Sequence, residues 1–330
     1  MRMKQLLIKK IKDSGKISFE EFFKTLLYHE KYGYYTNLAK IGEGGDFITS
    51  PTLLLKPFSK AIVTYLKKIL ESNIKNYELV EIGGREGKLT KLITKDLRIS
   101  GILIEKIPSK DTGGIKFFTS LEKLPPKKYA ILGNEILDAI PARRIKFDGR
   151  EFFESFLKVK DGKIIEIWEK IEDKNVEEYF KKYIKHIPDD GKSTIFEFPE
   201  KYYEFFSPFS KFKADTILIL IDYGGYPQEI YPDYISTNTI RGYKNNRLVE
   251  NIFELNEAID ITYHVNFKFV EEILKNIGYI RINYETQGKF LVENGILDFV
   301  NEKDMEKLKT LILPGGMGEI FKVITFKKGS

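Results

Sequence analysis

Cysteine is absent from the 330 residues, which excludes disulfides, thiol nucleophiles and thiolate-bound metals together. A reducing cytoplasm is the simplest home for such a chain. Long apolar runs are missing as well. None approaches the ~20 residues that cross a bilayer, and the start, Met1-Arg2-Met3-Lys4, lacks the apolar core of a secretory signal. Charge of one sign does not dominate either. The formal net charge of +6 comes from lysines scattered along the chain, so it permits an acidic partner without implying nucleic acid. The length suits one large α/β domain or two small ones.

What is present is a strand–loop–helix signal at Tyr77-Glu78-Leu79-Val80-Glu81-Ile82-Gly83-Gly84-Arg85-Glu86-Gly87-Lys88-Leu89. An apolar run ends in an acid, enters a glycine-rich turn and leads into helical spacing from Thr90 to Leu97. Glycine lets the backbone pass close under a ligand where a Cβ would collide. The N–H groups of the following helix turn favour an anionic group above the loop. The spacing fits a P-loop poorly: three residues, not four, separate Gly83 from Gly87-Lys88, and Leu89 follows where Ser or Thr would bind magnesium. Only Gly83 and Gly87 fit a dinucleotide frame. The looser E-x-G-x-x-x-G of S-adenosylmethionine enzymes fits better, and a plain strand–turn–helix with incidental glycines fits too.

Two further strand ends carry polar groups. Gly101-Ile102-Leu103-Ile104-Glu105 ends in an acid about 20 residues on, where a βαβ unit places a ribose-binding carboxylate. Tyr129-Ala130-Ile131-Leu132-Gly133 runs straight into Asn134 and Glu135, with Asp138 shortly after. Carboxyl ends of parallel strands are where an open α/β sheet takes its ligand.

With Gly45-Asp46-Phe47-Ile48-Thr49-Ser50-Pro51, Val80 to Gly83, and Asn134 to Pro141, the chain resembles the MidA-like methyltransferases. That family includes the arginine methyltransferase that helps assemble mitochondrial respiratory complex I. The likeness extends to Tyr28-His29-Glu30-Lys31-Tyr32-Gly33-Tyr34-Tyr35 and to Ile221-Asp222-Tyr223-Gly224. Asp260 to Phe267, Thr286-Gln287-Gly288-Lys289-Phe290-Leu291 and Met317 to Lys322 complete it. Departures stand at Gly84 and Arg85, in place of a Pro and a Gly of the family loop. Asn238-Thr239-Ile240-Arg241 replaces Gly-Thr-Leu-Arg, and Asn246 replaces a His.

The resemblance implies an α/β fold: a Rossmann-like, seven-stranded class I methyltransferase sheet with an N-terminal helical region and an inserted α+β segment. The expected division is 1–70 as a helical lid or substrate region, 71–145 and 213–330 as the cofactor-binding core, and 146–212 as an insertion forming part of the substrate wall. Ser18-Phe19-Glu20-Glu21 reads as a capping box, followed by a packing stripe of Phe19, Phe22, Phe23, Leu26 and Leu27. The glycine loop Ile41 to Asp46 suits a lid. Thr49-Ser50-Pro51 reads as a cap for a helix from Leu54 to Ile69. Arg143 to Val159 alternates like a hairpin, and Thr194 to Pro199 reads as a strand aiming Glu197 at a cleft. Thr216 to Gly225 is the strongest buried strand and should lie beside Ala130 to Gly133. The tail segments 281–284, 289–293 and 319–327 read as edge strands. His186 reads as solvated and His264 as packed.

A sulfonium methyl is already activated, so neither metal nor covalent intermediate is needed; placement and dehydration remain. Glu81, Gly83, Gly87, Glu105, Asn134, Thr49 and Ser50 are the candidate cofactor residues. If the acceptor is arginine, its guanidinium stays protonated and carboxylates can hold it bidentately. Glu135 and Asp138 are the leading clamp, with Asp222 and Glu197 in reserve. The expected cofactor is S-adenosyl-L-methionine and the expected partner a protein, in the family's case a subunit of an NADH dehydrogenase, with no nucleic acid and no membrane insertion. A small-molecule methyltransferase and a non-catalytic assembly protein on the same fold are the competing readings.

Overall fold

The computed structural model describes residues 2–38, 49–106, 114–185, 193–231, 239–244, 247–254 and 256–329. The glycine loop 41–46, His186, Asn238 and Asn246 lie outside them. Contacts divide the chain into two compact units: Met1–Ile48, Leu137–Tyr202 and Gly225–Phe269 form one, and Thr49–Ile136, Tyr203–Gly224 and Val270–Ser330 form the other. This division places the helix Leu55–Leu70 with the sheet, and the segment 225–269 with the N-terminal residues.

The second unit is built on a large, mostly parallel sheet. Its strands are β1 (Glu78–Ile82), β2 (Gly101–Ile104), β3 (Lys116–Phe118), β4 (Tyr129–Asn134), β5 (Ile217–Gly225), β6 (Tyr279–Thr286) and β7 (Phe321–Lys328). They lie in the order β6-β7-β5-β4-β1-β2-β3. Strands β3, β2, β1, β4 and β5 are parallel. Strand β7 inserts antiparallel between β5 and β6. The sheet counts eight strands in all, so the expected seven describes this path and not the whole. The predicted neighbourhood of β4 and β5 holds, with Ile217 opposite Ala130 and Leu220 opposite Gly133.

Side chains alternate between the two faces along each strand. Leu79, Ala130, Leu132, Ile217, Ile219, Ile221 and Val323 join one core cluster with Phe58, Ile62, Leu66 and Ile93 of the helices Leu55–Leu70 and Lys88–Leu97. Phe58, Ile62 and Leu66 are fully buried, each worth roughly 1.5–3 kcal/mol relative to exposure. That burial is why the helix belongs with the sheet and not with the residues before it. Pro57 is tolerated because it falls in the first turn, where N–H groups lack intrahelical acceptors.

Two expectations fail here. Segment 289–293 is not a strand but part of the helix Gln287–Glu293, started by the Thr286 hydroxyl accepting from Lys289 N at 3.4 Å. Its Phe290 and Leu291 turn into the core. Strand β7 is internal rather than an edge. The sequence from Thr49 also forms two helices, Ser50–Leu53 and Leu55–Leu70, broken at Leu54 by an extended φ of −140°.

The first unit carries a five-stranded sheet pairing Ile17–Ser18, Phe152–Lys160, Arg143–Phe147 and Thr194–Phe198 in that order, with Lys163–Ile171 also on Phe152–Lys160. The long hairpin closes through Asp161-Gly162, both at positive φ (49° and 74°). Asp-Gly is the residue pair this two-residue turn selects. Ser18 caps the helix Phe19–Tyr28 by accepting from Glu21 N at 3.1 Å. The stripe Phe19, Phe22, Phe23, Leu26 and Leu27 is wholly buried, with Phe19 and Phe22 against Phe253 and Phe23 against Tyr263.

Glu197 is 2 % exposed and accepts from the N–H and hydroxyl of Thr239; it is enclosed rather than aimed at a cleft. Burial pushes its carboxyl up to about 7, against the lowering pull of Thr239 and the Arg144 charge. An acid with a folded pKa above its unfolded one stabilises fully at low pH and loses that contribution as pH rises through the folded value. Wild-type stability is therefore expected to fall between pH 5 and 8 relative to Glu197→Gln, by on the order of 3 kcal/mol, measured by urea unfolding across that range. Parallel pH profiles for the two proteins would contradict the assignment. His264 is held neutral, burial and then the Arg241 charge lowering it to about 4.

Candidate functional site

The strand order reverses between β1 and β4, whose outer neighbours are β2 and β5. In a doubly wound sheet the crevice beyond the carboxyl ends at such a point takes the ligand. The loop after β1 builds one wall. Gly83 turns at φ 75° and donates its N–H to Ile104 O at 3.0 Å, tying the loop to β2. Gly87, at φ 64°, caps the helix Lys88–Leu97. Arg85 takes φ 50°, the left-handed conformation that glycine holds without cost.

Glu81 turns away from the open side. It is 5 % exposed, and its Oε2 accepts from Thr90 N at 3.1 Å and from the Thr90 hydroxyl. Burial raises its pKa, countered by the two Thr90 bonds. The carboxylate thus serves the first turn of the helix, where N–H groups have no intrahelical partner, and fixes the loop between. Gly84 passes so close that a Cβ would lie 2.3 Å from the Glu81 carboxyl carbon. Gly84→Ala is expected to destabilise the sheet unit by about 2 kcal/mol and to weaken cofactor binding. Thermal unfolding and calorimetry check this; an unchanged midpoint would show that Glu81 moves freely.

Glu105, just past β2, faces this loop. One of its oxygens accepts from Arg85 N at 3.3 Å and the other from Lys106 N at 2.9 Å. Asn134 closes β4 with a buried Oδ1 that has no hydrogen-bond partner among the described residues, while its Nδ2 donates to Glu135 Oε1 at 3.0 Å. A buried acceptor without a donor costs on the order of 1–3 kcal/mol, a cost that a donating ligand removes.

Glu135 stands at φ 54°. Strain of this kind at a strand end persists only where the surroundings impose it. Three bonds do so: Glu135 N donates to Ile221 O at 2.8 Å, Ile136 N to Asp222 Oδ2 at 3.0 Å, and Ser50 N to Glu135 Oε1 at 3.1 Å. Asp222 is fully buried, and its other oxygen accepts from Tyr223 N at 2.9 Å; it shapes the turn. Ser50 Oγ donates to Gln287 Oε1 at 2.7 Å, and Gln287 Nε2 donates to Leu311 O at 3.3 Å. Thr49 shares the first turn of its short helix with Thr52, its N–H donating to Thr52 Oγ1 at 2.9 Å.

Glu81, Gly83, Gly87, Glu105, Asn134, Glu135, Ser50, Thr49 and Asp222 therefore gather in one unit. Asp138 belongs to the other, where its Oδ2 accepts from the Thr262 hydroxyl at 2.6 Å. Gln287 was missed as a site residue. No local pattern marks it, because its partner Ser50 is distant in sequence. Gly288 and Gly318 both close on Ile312, where a Cβ would lie 2.2 Å from its carbonyl oxygen and 2.3 Å from its carbonyl carbon respectively.

Residues 58–284 match a family described as "Putative S-adenosyl-L-methionine-dependent methyltransferase". The chain belongs to that family. Its cofactor is S-adenosyl-L-methionine, and the chain is a methyltransferase. A Caenorhabditis elegans relative, 26% identical over 97% of this chain and 85% of its own, is named "Protein arginine methyltransferase NDUFAF7 homolog, mitochondrial". A Drosophila melanogaster relative of the same name is 23% identical over 82% of this chain and 69% of its own. A Burkholderia thailandensis crystal structure with S-adenosyl-homocysteine bound superposes with a TM-score of 0.86, covering 99% of this chain and 92% of that one at 22% identity; that likeness establishes the fold. The cytoplasmic home expected from composition does not stand, because these relatives carry mitochondrial names. A lack of cysteine excludes disulfides but does not tell one compartment from another.

The crevice of this methyltransferase fits its cofactor. The buried Asn134 Oδ1 has no donor among the described residues, and the Glu105 carboxylate lies beside the glycine loop, so the residues present can accept hydrogen bonds from a ligand that donates. When bound, S-adenosyl-L-methionine supplies a methyl activated by its sulfonium.

Proposed function

We propose that this methyltransferase acts on an arginine side chain of a partner protein, with a subunit of a respiratory NADH dehydrogenase as the first partner to test. The observation that carries this reading is Glu135: a carboxylate at the end of β4, held in a strained turn by Ser50, Ile221 and Asp222. Fixed orientation is what a charged guanidinium needs, since two parallel hydrogen bonds to a carboxylate aim its nitrogen. The names of the worm and fly relatives support the same acceptor.

In this reading Glu105 accepts from the ribose, Asn134 Oδ1 takes a donor of the cofactor, and Gly83 and Gly87 give the loop beneath it its left-handed turns. Glu81 acts through the loop it fixes, and Thr49 and Ser50 through the short helix that holds Glu135. Glu135 is the acceptor carboxylate of the sheet unit. Asp222 is a positioning residue. The test is transfer of labelled methyl from S-adenosyl-L-methionine to protein in a host lysate, with the product digested and the modified residue identified by mass spectrometry. Label on arginine supports the proposal. Label confined to small molecules favours a small-molecule acceptor, and cofactor binding with no transfer favours a non-catalytic assembly role.

A further inference from the structure

At the opposite, amino-terminal end of the sheet lies a cavity of about 770 Å³ that the methyltransferase reading does not use. Its rim comes from the starts of β1, β2 and β4 and the approach to β5. Five cations line it: Lys75, Arg98, Lys127, Lys128 and Lys213, with Glu78 as the acid among them. Lys75 donates to Leu97 O at 2.7 Å and Arg98 O at 3.2 Å, a usual arrangement for a lysine at a helix C-terminus. Lys127 shares Glu78 with Lys116, each at 3.3 Å. Lys128 shares Asp215 with Lys327, at 3.0 and 2.9 Å, and these two lysines hold the Asp215 carboxyl below its usual range. Arg98 and Lys213 form no ion pair among the described residues and are exposed.

The local balance is seven cations against two carboxylates, an excess of five, while the whole chain carries only +6. Crowding like charges opposes folding, and a bound polyanion removes that cost. The lining supplies neutral donors in Asn76 and Ser100 beside the cations. The volume falls within the roughly 300–1,000 Å³ typical of small-ligand pockets. An open basin lined by several separate ammonium and guanidinium groups suits an anion with several charges.

We propose that this basin binds a compact phosphate-chain anion, with Arg98 and Lys213 as its unpaired contacts. The proposal goes beyond the methyltransferase reading and does not depend on it. The test is calorimetric titration of inorganic tripolyphosphate into the full chain at about 0.05 and 0.15 M salt, since exposed charges are screened over about 8–10 Å near physiological ionic strength. Saturable one-to-one binding is expected, weakened about tenfold or more in Arg98→Gln/Lys213→Gln and untouched in Lys9→Ala/Lys12→Ala on the helix Met3–Ser14. Binding of S-adenosylhomocysteine should be the same in all three proteins, which shows that each is folded and keeps this test separate from the catalytic one. No saturable heat at millimolar tripolyphosphate would overturn the proposal, as would full displacement by sulfate at equal ionic strength. Tight binding of an RNA oligomer or an acidic peptide through Arg98 and Lys213, where tripolyphosphate fails, would also overturn it.

Discussion

Glu135→Gln is expected to lower methyl transfer on the order of 10³-fold while leaving S-adenosylhomocysteine affinity unchanged. The asymmetry follows from geometry. Glutamine keeps the length of the side chain and an oxygen able to accept from Ser50 N, so the turn at φ 54° retains its support. What is lost is the negative charge and one of two acceptor oxygens. A guanidinium held by two parallel bonds would then be held by one, and the positive charge opposite it would be left uncompensated in a partly buried place. Single-turnover assay with labelled S-adenosyl-L-methionine measures the loss, and calorimetry measures the retained affinity. Transfer at wild-type rate would remove Glu135 from the acceptor side. Equal loss of binding and transfer would instead make it part of the cofactor cradle. Asp222→Asn provides the comparison: it should lower the melting temperature as well as the rate, because both its oxygens accept backbone N–H groups.

Glu105→Ala is expected to weaken S-adenosylhomocysteine binding by on the order of 100-fold, corresponding to the roughly 1.5–3 kcal/mol of charged hydrogen bonds to ribose hydroxyls. The same carboxylate accepts from Arg85 N and Lys106 N, so removing it also releases the loop that Gly83 ties to β2. Glu105→Gln separates the two contributions. It keeps an acceptor for the loop but loses the charge, and should recover part of the affinity without reaching wild type. Titration of adenosine against both variants locates the loss at the nucleoside. Unchanged affinity in Glu105→Ala would place the ribose elsewhere.

Much of the sheet unit was legible because its signals are local. The runs at Ile102–Ile104, Ala130–Gly133 and Ile217–Ile221 are apolar on both faces, and Leu79–Ile82 is interrupted only by Glu81, which identifies strands covered on both sides. Each ends in polar residues or glycine, which places the ligand end. The helix at 287–293 was not legible as such. Four apolar or small positions in a short run fit strand and helix alike, and only the Thr286 cap and the close approach of Gly288 to Ile312 decide between them. For the same reason β7 could be identified as a strand but not assigned to the interior of the sheet.

The candidate site divides along the same line. By itself the sequence determined the residue types at the strand ends, the glycine loop and the family, because each depends on a few neighbours within reach of one turn. Only the tertiary structure decided that Glu81 serves the helix at Thr90, that Asp222 pins the turn at Ile136, and that Ser50 joins Glu135 to Gln287. Those bonds join residues up to 237 positions apart. No local pattern encodes which distant donor a carboxylate meets; packing sets that once the core has closed around it.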